Sequence, residues 1–218
     1  MTSEEAPWAM QIVVRVEKNP SPAHTQALRA TGSAVAVALA AFTGPDADPE
    51  TRARTERWRA GRIRKVVRRA RGAGWDRQLA VPGVLEHQAH GVEVAVHVPG
   101  PVDRVDPEIS RLQVGGLQLE DEDPVDQVAT GARLWLNPHI TLSTGKAAAQ
   151  AAHAAQLVWQ SLPRDEAAAW VAAGAPLDVA VADEAAWDDL VRTLPVVVTD
   201  GGFTEVPPGT ITAVAAQP

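Results

Sequence analysis

Residues 145–155 read GKAAAQAAHAA and residues 200–210 read DGGFTEVPPGT. The first stretch is an Ala-rich run with Lys146, Gln150 and His153 at spacings of four and three, so one face of a helix carries all three polar groups. The second follows the apolar run Pro195 to Thr199 and is rich in turn formers, so it reads as the loop that leaves the end of a strand. Outward from these two stretches the pattern continues. A strand is expected at Arg133 to Asn137, a long helix at about Thr144 to Leu162, and a second helix from Pro163 and Asp165. Beyond them come a strand at Leu177 to Val181, a short helix at Asp183 to Arg192, and closing strands at Pro195 to Thr199 and Thr210 to Ala215.

The first part of the chain holds similar pieces. MQIVVRV (10–16) reads as a buried strand, 23–42 as an Ala-rich helix, and Asp48 with Pro49 as the cap and first turn of another. Strand-like runs are expected at 92–98 and 109–119, followed by the acidic linker LEDEDPVDQ. Three gapless stretches lie over the second part: 11–37 on 132–158, 58–78 on 170–190, and 96–107 on 197–208. In the middle one Trp58 and Trp75 match Trp170 and Trp187. The expected fold is therefore α/β, with two related small mixed-sheet halves, helices packed on the sheets, and the pairing of a pseudo-dimer. The halves are 8–120 and 132–218, joined by an acidic linker at 121–131.

Charge is unevenly distributed. The chain of 218 residues has a formal net charge of −7, yet residues 52–71, RARTERWRAGRIRKVVRRAR, hold ten of its twenty Lys and Arg against the single acid Glu56. That segment is +9, which leaves −16 on the remainder, so phosphate could be bound locally without being bound everywhere. Its second part, IRKVVRRA, fits a helix by the spacing of Ile63, Val66, Val67 and Ala70 and also fits a strand edged with arginines. The duplication selects the strand.

There is no cysteine, which excludes disulfides, thiolate nucleophiles and Cys-ligated zinc. His87, His90 and His97 are joined by no carboxylate at a diagnostic spacing, so no metal is expected. The GK pair lacks a preceding Gly-rich loop and no GxSxG stretch occurs, which argues against nucleotide hydrolysis and a serine nucleophile. No run of eighteen apolar residues and no basic-then-apolar leader are present, so neither a membrane span nor a signal peptide is indicated and a cytoplasmic protein is expected.

The two opening stretches together, in this order and about fifty residues apart, resemble the peptidyl-tRNA hydrolases of the archaeal and eukaryotic type, over roughly residues 132–218. The family pattern is GK(x)AAQ(xx)HA on a helix, then DAG(x)TQ(x)(x)PG. The resemblance implies cleavage of the ester between a peptide, or an N-blocked amino acid, and the 3′ end of tRNA, with no cofactor. It implies Lys146, Asp200 and Thr204 as catalytic residues, and Gly145, Gln150 and His153 as substrate contacts. The sequence departs from the pattern at Phe203, where Arg is usual, and at Glu205, where Gln is usual. The first half holds Thr25, Arg29, Gly32, Pro99 and Asp103 where the alignment puts Lys146, Gln150, His153, Asp200 and Thr204, so its expected role is to stand in for the second subunit of a dimer. Arg62, Arg64, Lys65 and Arg68 of the basic segment are then the expected phosphate contacts. The expected partner is peptidyl-tRNA, and the chain is expected as a monomer with an internal pseudo-dimer, alternatively as a homodimer. The competing reading is a non-catalytic relative that binds RNA or an acidic protein.

Overall fold

The computed structural model describes residues 6–121, 126–128, 130–201 and 205–218. The first half runs β1 (Trp8–Arg15), α1 (His24–Thr43), α2 (Pro49–Ala60), β2 (Lys65–Ala70) and α3 (Ala73–Leu79). It continues with β3 (Val84–Ala89), β4 (Val92–His97), the two-residue β5 (Gly100–Pro101) and α4 (Pro107–Ser110). The second half runs β6 (Ala132–Leu136), α5 (Thr144–Ser161), α6 (Arg164–Ala172), β7 (Leu177–Val181), α7 (Trp187–Thr193), β8 (Val196–Thr199) and β9 (Ile211–Ala216).

The two sheets are built alike. One has the order β2-β1-β4-β3, with β5 added beside β1, and the other the order β7-β6-β9-β8. Within each, the first pair is parallel and the other two are antiparallel. The matched tryptophans sit alike as well. Trp58 Nε1 donates to Arg64 O at 3.1 Å and Trp170 Nε1 to Pro176 O at 3.0 Å, each indole tying its helix to the start of the following strand. Trp75 and Trp187 each cover the outer face of their own sheet, one against Val13 and Ala95, the other against Val214. Within IRKVVRRA the strand reading holds for Lys65–Ala70, which pairs in parallel with Met10–Arg15.

Two of the stretch alignments change. The sheet registers pair Ile12 with Val67 and Leu134 with Val179, so Ile12 takes the place of Leu134. The stretch 11–37 laid on 132–158 puts Val13 there, a slip of one residue that moves every side chain to the other face of a strand. The third stretch laid β4 on β8, whereas strand order makes β3 the counterpart of β8 and β4 that of β9. The position that follows the strand, Asp200 in the second half, therefore falls to His90 in the first and not to Pro99. Residues 109–119 do not form the expected strand. Pro107–Ser110 is a helical turn capped by Asp106, and Gln113 makes only an isolated bridge to Arg69.

The core lies between the sheets. α1 and α5 pack on each other and on the inner faces of their own sheets, and each also reaches the other half, α1 against β7 and α5 against β2. Both helices are rich in alanine: Ala27, Ala30, Ala34, Ala38, Ala148, Ala151, Ala152 and Ala155 are fully buried. Small side chains let the two backbones close in. At Gly32 a methyl group would stand 2.3 Å from Leu177 Cδ2 and 3.3 Å from Ala151 O, so a larger residue would have to displace Leu177 and crowd the α5 backbone. Across the same seam Arg29 of α1 forms a buried ion pair with Asp178 of β7.

His97 carries a pH signature. It is 3% exposed, bonded through Nε2 to Gln78 Oε1 at 2.8 Å, and burial lowers its pKa from 6.5 to about 4. Between those values the unfolded chain binds a proton that the folded one does not, so stability falls as pH falls through this window. The loss approaches about 3 kcal/mol at its acid end. Urea unfolding of wild type and His97→Gln at neutral pH and near the acid end should show a steeper acid decline for wild type by about that amount. Parallel declines would mean that the imidazole is not held neutral.

Candidate active site

α5 starts where Ser143 caps it, with Ser143 Oγ accepting from Lys146 N at 3.3 Å. This places Lys146 in the first turn, Gln150 one turn on and His153 nearly another, all on the face that looks past the end of β8. Asp200 leaves that strand end held by two backbone bonds, its N donating to Thr210 O at 2.8 Å and its O accepting from Gly209 N at 2.9 Å. The strand end is thus fixed by backbone bonds and the helix start by its serine cap.

Two donors meet on one carboxylate oxygen. Lys146 Nζ lies 2.5 Å from Asp200 Oδ2 and Gln150 Nε2 lies 2.8 Å from the same atom. Gln150 is oriented in turn by Thr212, whose hydroxyl donates to Gln150 Oε1 at 2.9 Å. Asp200, Gln150 and Thr212 are all buried.

The second wall comes from the first half. A cleft of about 600 Å³ is lined by Gly145, Lys146, Gln150, His153 and Asp200 on one side and by Arg62, Arg64 and Lys65 with Val114 to Gly116 on the other. Arg62 Nη2 donates to Gly201 O at 3.2 Å, and Lys65 Nζ reaches Gln156 Oε1 at 2.5 Å and His153 Nδ1 at 3.0 Å. Burial holds the Lys65 ammonium well below the ordinary lysine range. Burial first, then the positive charges of Lys65 and Lys146, hold His153 well below the ordinary histidine range.

Nine of the ten residues singled out from the sequence lie among the described residues, and eight of those nine line this cleft. Arg68 does not. It is on β2, but its Nε donates to Gln11 Oε1 at 2.9 Å and its Nη1 to Leu112 O at 2.8 Å, which fastens the chain after α4. Thr204 lies outside the described residues, as does Phe203. Gln156, Thr212 and Ser143 were missed. Gln156 carried a signal, since it stands three residues after His153 on the same helical face in a run otherwise almost all alanine.

Glu205 has a definite place. Its carboxylate accepts from Ser143 N at 2.8 Å and from Ser143 Oγ at 2.6 Å, against the start of α5. The three histidines do not converge: His97 pairs with Val84 across β3 and β4, which puts His87, three residues along β3, on the opposite face. Among the described residues no cluster of His, Asp or Glu could hold a metal, and no helix is long and apolar enough to cross a membrane. No protein-family model matches the chain, and no curated protein matches it.

Proposed function

We propose that the chain is a cytoplasmic peptidyl-tRNA hydrolase, a carboxylic ester hydrolase that frees tRNA from a peptide or an N-blocked amino acid and so serves translation and ribosome rescue. The observation that carries this reading is the convergence of Lys146 and Gln150 on Asp200 in a cleft whose facing wall bears Arg62, Arg64 and Lys65. Water is the nucleophile. As it adds to the ester carbonyl, Asp200 takes its proton, and the Lys146 ammonium meets the charge that develops on the carbonyl oxygen. The bond to the 3′ oxygen then breaks, that oxygen receives a proton, and a free acid and a tRNA 3′-hydroxyl leave. Thr204 is assigned to the same step by the family resemblance alone. The guanidinium groups of Arg62 and Arg64 suit the phosphates next to the ester, and they belong to the half that has no catalytic set of its own.

Release of free tRNA from N-acetyl-aminoacyl-tRNA by the purified protein tests the reading. Turnover that is lost in Asp200→Ala is expected. A folded wild-type protein that binds tRNA and releases none would overturn it.

The Glu205 contact favours a second reading, a binding protein without hydrolysis. A carboxylate already occupies the amide end of α5, where a substrate phosphate would otherwise find unpaired N–H groups. Glu205→Gln removes one negative charge there and should tighten tRNA binding about two- to fivefold at low salt. Filter binding measures this, and an unchanged affinity would show that no phosphate approaches the start of α5.

A further inference from the structure

We propose that Lys65, which the first half contributes to the cleft of the second, is a positioning residue that fixes the tautomer of His153 and so presents its Nε2–H as a neutral donor to the acyl part of the substrate. The inference rests on the hydrolase reading for the identity of that substrate.

Lys65 Nζ has as neighbours the Gln156 carbonyl oxygen at 2.5 Å, His153 Nδ1 at 3.0 Å and the face of Trp58, whose ring centre is 5.3 Å away, and as an ammonium it offers them donors only. A donor opposite Nδ1 requires the lone pair there, which leaves the imidazole proton on Nε2. The charges that face the ring are set against its protonation. Lys65 approaches from β2 and Lys146 from the same helix, while Arg62 and Arg64 stand on the facing wall. Among the described residues the one buried carboxylate that lines the cleft, Asp200, is already bonded by Lys146 and Gln150. The ring therefore stays neutral with a single tautomer.

That tautomer has a use in the cleft. Nε2 has no hydrogen-bond partner among the described residues, and His153 lines the cleft one turn beyond Gln150. A neutral N–H there can bond an acyl carbonyl without attracting the phosphates that the arginines hold. It also gives the first half a part inside the site: β2 must be docked on α5 for the donor to exist. Trp58 fixes the start of β2 to α2, since its Nε1 donates to Arg64 O beside Lys65.

The test reads the proton directly. In protein labelled with ¹⁵N-histidine, two-dimensional imidazole spectra should show His153 of wild type as the neutral Nε2–H form throughout the neutral range, with no titration at an ordinary histidine pH. In Lys65→Met the ring should sample both tautomers and titrate closer to the usual histidine value, while Lys65→Arg, which keeps charge and donors, should restore the Nε2–H form. On N-acetyl-aminoacyl-tRNA, kcat should fall about tenfold or more in Lys65→Met and recover in Lys65→Arg. An Nδ1–H form in wild type, or an ordinary titration, overturns the proposal without use of any variant. A Lys65→Met protein whose tautomer and kcat are both unchanged also overturns it, and reduces Lys65 to a clamp between β2 and α5. Absence of hydrolysis in wild type with the Nε2–H form present would remove the hydrolase reading and uphold the tautomer lock, so the two failures are told apart.

Discussion

Asp178→Ala is expected to destabilise the whole molecule by about 3–5 kcal/mol, a large share of the stability of an ordinary domain. Arg29 and Asp178 have side chains only 5% and 4% exposed, and Arg29 Nη1 also donates to Asp126 O at 2.9 Å. Removal of the carboxylate leaves a guanidinium in the seam between the halves with nothing of opposite charge in bonding contact among the described residues. Arg133 faces the second oxygen, its Nε 3.5 Å from Asp178 Oδ2, and loses its partner too. The pair also joins α1 of one half to β7 of the other, so its loss should not melt one half alone. Urea unfolding followed by tryptophan fluorescence and by circular dichroism should give a single shifted transition in both signals. The double variant Arg29→Met with Asp178→Leu removes both charges and should recover most of the loss, because the cost lies in an unpaired buried charge and not in a missing attraction. A single-variant loss below about 1 kcal/mol would mean that water reaches the seam.

The reason the seam was hard to foresee lies in its composition. Alanine-rich helices align with one another at any register, so the sequence could suggest that α1 corresponds to α5 but not that its strand was one residue out. The tryptophans were informative because each has a distinct job: Trp58 and Trp170 bond the backbone six residues on, and Trp75 and Trp187 cap the outer faces. The third alignment failed on loop length. β8 and β9 are separated by the long stretch 200–210, whereas β3 and β4 are joined by His90 and Gly91, both with positive φ, in a tight hairpin turn. A gapless comparison slid past that difference onto the wrong strand. β3 itself, VLEHQA, has little β-branched character and gives no strand signal, while RLQVGGLQL imitates the alternation of a strand but is broken by two glycines.

The site divides along the same line. Lys146, Gln150, His153 and Asp200 were legible because a short helix motif and a short loop motif carry them, and local geometry puts each on the right face. What the sequence could not convey is that residues 88 and 91 positions apart, Lys65 with His153 and Lys65 with Gln156, close the cleft from the other half. The arginines were visible as a block of charge. Which of them would face the cleft depended on strand alternation and on the loop after α4, and Arg68 went to the loop.

Asp200→Asn and Lys146→Met should each lower kcat for tRNA release by about 10²-fold or more, and the double variant should be little worse than either single one. The non-additivity follows from the geometry. The ammonium and the Gln150 amide both bond Oδ2, so in the proposed mechanism Lys146 would hold the carboxylate in the position from which it receives a proton, besides meeting the developing oxyanion. Without Asp200, Lys146 has no fixed place, and without Lys146 the carboxylate loses its nearest positive charge. Asparagine keeps the shape of the side chain and methionine keeps the reach, so both variants should unfold near the wild-type midpoint and their losses can be read as lost chemistry. Thr212→Val is the finer control: it removes the hydroxyl that orients Gln150 Oε1 and should cost about tenfold, a loss that should vanish in the Asp200→Asn background because Gln150 then has no carboxylate to present. Single variants within about threefold of wild type, or a double variant whose loss is the product of the two, would mean that Lys146 and Asp200 do not act as a unit, and the ester would have to be attacked elsewhere in the cleft.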